Sequence, residues 1–138
     1  MRLAHIDEVD IVALPQSGRH CASVCCCGPY LATLKPEVAA VVCYYGFPRE
    51  GLDWDLSAVK AAVLGHFAEH DDFAPRDLVE RMERELGGAG VEVTFHQYPG
   101  TTHAFFNNDR PEVHDAEAAE TSWRRTLEFL RARLGGTA

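Results

Sequence analysis

A chain of 138 residues with 46% hydrophobic and 25% charged side chains can form one small domain with a core of its own. A formal net charge of −8 disfavours nucleic acid and anionic membrane surfaces as partners, and no apolar run approaches the ~20 residues of a membrane span. The five cysteines, Cys21, Cys25, Cys26, Cys27 and Cys43, are odd in number with three adjacent, so the expected compartment is a reducing cytoplasm, not a disulfide-forming one.

The N-terminus, Met1 to Glu8, is acidic early and lacks the apolar stretch of a secretory signal. Residues 1–21 read as an irregular leader, with Pro15, Ser17, Gly18 and Arg19 interrupting any strand pattern, and residues 22–138 as a single domain. Next comes Cys25-Cys26-Cys27-Gly28. The apolar run Val38–Tyr44, rich in β-branched and aromatic residues and ended by Gly46 and Pro48, predicts a buried strand. Ala61–Phe67 predicts a second, followed by Ala68-Glu69-His70-Asp71-Asp72-Phe73-Ala74-Pro75, which sets an acid on a loop.

A helix is expected from near Pro75, a favourable first-turn residue. Its stripe is Leu78, Met82 and Leu86 with Val79 alongside, and Gly87-Gly88 should stop it. Val91–Tyr98 alternates as a third strand, with Val91, Val93 and Phe95 on one face. The loop Pro99-Gly100-Thr101-Thr102 then presents His103, poised to reach into a cleft. A last helix is expected from an Asp115 N-cap, with the stripe Ala116, Ala119, Trp123, Leu127, Leu130 and Leu134, ended by Gly135-Gly136.

Strands alternating with helices imply an α/β fold, a mostly parallel sheet of about four strands with flanking helices. Such sheets hold their chemistry beyond the carboxyl ends of the strands, so Asp71 and His103 should share one rim. Cysteine, aspartate and histidine then follow the chain order nucleophile, acid, base that α/β-hydrolases use.

Three stretches carry a specific resemblance. They are Pro36–Gly46, Gly65–Pro75 and Phe95–Phe105, the last containing Tyr98-Pro99-Gly100-Thr101-Thr102-His103-Ala104-Phe105. From Val24 to Leu134 the chain resembles the C-terminal part of the dienelactone hydrolase (carboxymethylenebutenolidase) family, a little over half of a family domain. The resemblance implies a partial α/β-hydrolase fold and hydrolysis of a small ester or lactone, with no metal or organic cofactor. It implies Cys26 as nucleophile, His103 as base, Asp71 as the orienting acid and the Cys27 N–H as an oxyanion donor. Tyr45, beside the cleft, and Phe105, inside the histidine motif, are expected to contact substrate.

Several departures accompany the match. Val24 stands where the family's nucleophile turn has its leading glycine, and Pro29 replaces a second glycine after Gly28. No position matches the family's second oxyanion donor or its thiol-activating upstream glutamate; losing one such donor costs about 10²–10³ in rate. Members that take dienelactone carry an arginine four residues past the histidine, where this chain has Asn107.

Other readings of the same residues stand beside these. His103 is equally a structural loop histidine, Cys26 a small buried hydrophobe, and Asp72 or Asp71 a cap for the helix at Pro75. Adjacent cysteines diverge too much to hold a metal. Tyr44 and Trp123 read as core, and Glu80/Arg84 and Arg81/Glu85 as pairs on a solvated helix face. His66, His70, His96 and His114 show no partner pattern. At the level of the whole chain, an inactive fragment or interaction module, associating through an exposed sheet edge, is the alternative to an enzyme.

Overall fold

The structure, a computed structural model, describes residues 10–13, 22–23, 32–33, 36, 38–47 and 55–134. Its strands are β1 (Asp10–Ala13), β2 (Ala22–Ser23), β3 (Ala40–Tyr44), β4 (Ala62–His70) and β5 (Val93–Thr102). A 3₁₀ turn (Leu56–Ala58) precedes β4, and Arg76–Gly88 and Ala116–Leu134 form helices α1 and α2. One sheet runs in the order β2-β1-β3-β4-β5. Strands β3, β4 and β5 are parallel, whereas β1 is antiparallel to both β2 and β3. Among the described residues the sheet has five strands, in keeping with the expected sheet of about four. Strand β1 lies within residues 1–21 and pairs along the flank of β3.

Alternation along β3 and β4 builds two cores, one on each face. Val41 and Cys43 with Val63 and Phe67 meet Val79, Met82 and Leu86 of α1. Val42 and Tyr44 with Leu64 and Ala68 meet Ala118 of α2, joined by Tyr45, Tyr98 and Phe105. Gly65 lies between Phe67 and Phe95, whose ring centroids are 5.0 Å apart; a Cβ there would come within 2.5 Å of Phe67 and 2.6 Å of Phe95.

Three element boundaries differ from expectation. Strand β4 continues past Phe67 to His70, because its polar end still pairs with β5. Strand β5 runs through Pro99-Gly100 to Thr102, so those residues are not loop. Gly87 and Gly88 lie inside α1; the helix closes at Ala89, whose N–H reaches Glu85 O at 3.0 Å, and Gly90 supplies the left-handed φ of +85°. Asp115 does cap α2, its Oδ1 accepting the Ala118 N–H at 2.9 Å.

The buried face of α2 matches the expected stripe only in part, at Ala119 and at Leu130, which packs against the second core. Ala118, Ala119, Ser122 and Thr126 face the sheet, Ala116 is exposed, and Trp123 is only half-buried, its ring 6.2 Å from that of Phe106. Ser122 and Thr126 are tolerated inside because they have partners. The Ser122 hydroxyl donates to Ala119 O at 2.9 Å, and Thr126 Oγ1 lies 3.0 Å from His66 Nε2 and 3.2 Å from the Tyr44 hydroxyl.

Candidate active site

Strands β4 and β5 end side by side, and the residue after each is a titratable one. Asp71 Oδ2 lies 2.7 Å from His103 Nδ1. The Asp71 carboxylate is wholly shielded while the His103 side chain keeps 22% of its exposure. The other oxygen, Asp71 Oδ1, accepts the N–H groups of Phe73 (2.8 Å) and Ala74 (3.1 Å). Both carboxylate oxygens are thus engaged, so the carboxylate can hold the imidazole with Nδ1–H toward it. Asp72 is exposed and does not cap α1, whose N-cap is Pro75 without any side-chain bond.

Aromatic rings frame the histidine. The Tyr45 ring lies 5.2 Å from that of His103 and is itself buried, its hydroxyl accepting the Phe106 N–H at 3.0 Å. Burial drives the Tyr45 phenol above its ordinary range. Phe105 is fully buried in the second core, 5.4 Å from Tyr45. Of the two residues expected against substrate, Tyr45 packs against the His103 ring and Phe105 lies behind Tyr45 in the second core. The ring with exposure is Phe73, 77% accessible and 4.8 Å from the His103 ring, the sole large exposed hydrophobic side chain among the described residues. Sequence reasoning passed it over, although its place two residues after the acid was a signal. Tyr45 and Ala104 both hold φ near +68°, conformations that cost side-chain residues about 1–3 kcal/mol, and both flank His103.

Cys26, Cys27 and the other residues of the cysteine turn lie outside the described residues. Asn107 is buried and closes a turn, its Oδ1 accepting the Asp109 N–H at 2.9 Å. Among the described residues no three His, Cys, Asp or Glu side chains converge as a metal site requires. A cleft of about 280 Å³ opens at the opposite end of the parallel strands, lined by Ser57, Lys60, Glu92 and Arg133 among others, remote from Asp71 and His103.

His66 belongs to a separate buried array. Its Nδ1 lies 2.8 Å from the Tyr98 hydroxyl, which also accepts from Arg125 Nη1 at 3.2 Å. Desolvation, with smaller contributions from His96 and Arg125, pushes the imidazole down to about 3, so it is neutral at ordinary pH. Burial likewise lowers His96, whose ring stacks 5.9 Å from that of His66.

A parallel strand–helix–strand unit with an acid–histidine pair beyond its carboxyl ends defines an α/β-hydrolase-like protein. Residues 21–134 match the family model described as the dienelactone hydrolase family, and the chain belongs to that family. Protein usf of Aquifex pyrophilus is 32% identical over 114 residues, covering 79% of this chain and 49% of that protein. The "Putative carboxymethylenebutenolidase" of Azospirillum brasilense is 32% identical over 106 residues, covering 77% of this chain and 45% of that one. Among solved structures, that of a "Putative Dienelactone Hydrolase" from Klebsiella pneumoniae superposes with a TM-score of 0.64 at 28% identity, over 73% of this chain and 45% of its own. The chain thus spans about half the length of the relatives it matches.

Proposed function

We propose that this protein is a cytoplasmic hydrolase of a small ester or lactone, working through Cys26, His103 and Asp71 without metal or organic cofactor. The observation that carries the reading is the 2.7 Å contact between Asp71 and His103 at the ends of two adjacent parallel strands. Asp71 keeps the imidazole in the tautomer whose Nε2 accepts a proton. His103 takes the Cys26 thiol proton, and the thiolate attacks the substrate carbonyl while the Cys27 N–H steadies the oxyanion. The C–O bond to the leaving group breaks as His103 returns the proton to that oxygen. Water, deprotonated by His103, then cleaves the thioester and restores the thiol. Tyr45, backed by Phe105, lines the site beside the histidine, and the exposed Phe73 ring suits an apolar portion of the substrate. Asn107 in place of a cation argues against a substrate that needs its own carboxylate held there.

The test is hydrolysis of p-nitrophenyl acetate by the purified chain. Turnover is expected to be weak, below the ordinary ~1–10³ s⁻¹, because the 138 residues offer no match to the second oxyanion donor. It should be insensitive to chelators. Cys26→Ala and His103→Ala should abolish it, and Asp71→Asn should lower it by about 10²–10⁴. Iodoacetamide should label Cys26 ahead of Cys25 and Cys27. Activity unchanged in Cys26→Ala and His103→Ala would refute the assignment, and activity absent from the wild-type chain would leave the reading of an inactive interaction module.

A further inference from the structure

The pairing of Asp71 with His103 depends on a shift in the β4–β5 ladder. From Val63↔Val93 to Ala68↔Tyr98 the two strands pair with a constant offset of 30 residues, since 93 − 63 and 98 − 68 are equal. Beyond an irregularity the pairing resumes at His70↔Thr102, an offset of 32. Asp71 and His103 are also 32 apart. Strand β5 has therefore gained two residues, and only Glu69 of β4 faces Pro99, Gly100 and Thr101. Without that bulge the ladder would set Asp71 opposite Thr101, and His103 would lie two residues, roughly 6.5 Å along the strand, beyond the acid.

A bulge interrupts ladder hydrogen bonds, and side chains supply the replacements here. Glu69 Oε2 accepts the Gly100 N–H at 2.6 Å, at the one bulge residue with a positive φ, +74°. The Glu69 N–H donates to Thr101 Oγ1 at 3.4 Å, and that hydroxyl donates to Tyr98 O at 2.7 Å. Gln97 Nε2 reaches Ala68 O at 3.4 Å. The same Glu69 carboxylate lies 3.5 Å from His70 Nε2, an exposed contact. Of these bonds the one to Gly100 is the shortest that crosses between the strands.

We infer that Glu69 is a positioning residue: its carboxylate, bound to the Gly100 N–H, holds the two-residue bulge that brings His103 opposite Asp71. The inference rests on the reading of Asp71 and His103 as the acid–base pair. It adds that their registry is set by a carboxylate that touches neither. Glutamine retains an acceptor oxygen at the same reach, so Glu69→Gln should keep the bulge and Glu69→Ala should loosen it.

The experiment compares wild type, Glu69→Gln, Glu69→Ala and a control, Glu83→Ala, on the exposed side of α1, by NMR of the imidazole protons. The low-field proton of His103 Nδ1–H, assigned by its loss in His103→Gln, should persist in wild type, Glu69→Gln and Glu83→Ala and broaden or vanish in Glu69→Ala. In the ester assay, Glu69→Ala should lower kcat about 10–100-fold with KM within about twofold, as expected for a misplaced group, while Glu69→Gln stays near wild type. If the proton persists in Glu69→Ala, the inference is overturned, whatever happens to stability. If Glu69→Ala fails to fold, Glu69→Gln alone decides: a lost proton in that folded variant would also overturn it. A wild-type chain that is inactive yet shows this proton pattern would remove the hydrolase reading and leave the inference on Glu69 standing.

Discussion

Two histidines, one inside β4 and one just past β5, serve opposite ends because their surroundings differ. His103 keeps part of its exposure and a carboxylate partner, whereas His66 is sealed between a tyrosine and a threonine, pushed down to about 3 by burial. A histidine that is neutral when folded but free to protonate when unfolded binds fewer protons in the native state at low pH. Above the ordinary histidine value of about 6.5, His66 leaves stability unchanged with pH. Below it, stability should fall as pH drops, by about 1.4 kcal/mol per unit toward the folded-state value. Urea unfolding at pH 7.5, 6.5 and 5.5 checks this, and the part of the decline due to His66 should be missing from His66→Gln. Asp71 and His103 were legible in the sequence because each comes a few residues past a stretch that reads as a strand. The partners of His66 were not, since Tyr98 and Thr126 lie 32 and 60 residues away and no local period links them.

Among the elements, β4 contributes to both cores and leads directly into the acid. Gly65 leaves room there for Phe67 and Phe95 to meet edge to face, at an interplanar angle of 66°. Gly65→Ala should lower stability by about 1–3 kcal/mol through overpacking, read as a shift of the urea midpoint with an unchanged slope. Strand interiors β3 and β4 and the stripe of α1 were readable because apolar side chains recur at periods of 2 and 3.6. Strand ends were not. His70 and Thr102 stay in the ladder through a bulge whose bonds come from side chains, and Pro99-Gly100 reads as a turn in any linear scan. Strand β1 escaped notice because four residues gain strand character only from distant antiparallel partners. Half of the inward face of α2 was not readable, because the hydroxyls of Ser122 and Thr126 stand where a stripe demands apolar side chains.

At the scale of the molecule, three parallel strands and the antiparallel β1 and β2 share one sheet, with a core on either face against which α1 and α2 pack. Among the described residues no helix is long and apolar enough to cross a membrane. Strand β1 also bears on association, since the flank of β3 that an incomplete sheet would leave open is already paired with it. The two helices dock by different physics. Helix α1 meets the sheet through Val79, Met82 and Leu86, shapes that tolerate small rotations. Helix α2 meets it through Thr126, whose single oxygen must sit within reach of both His66 and Tyr44. Turning α2 by one residue, about 100° of azimuth, would leave His66 Nε2 unbonded in a dry interior. The second helix therefore has one permitted orientation and no graded slippage around it. Hydrogen exchange should report this: amides of residues 122–129 should open only with those of β4, at one shared free energy, while the α1 amides near Gly88 fray independently. Earlier exchange across 122–129 than in β4 would show that the threonine does not key the helix to the sheet.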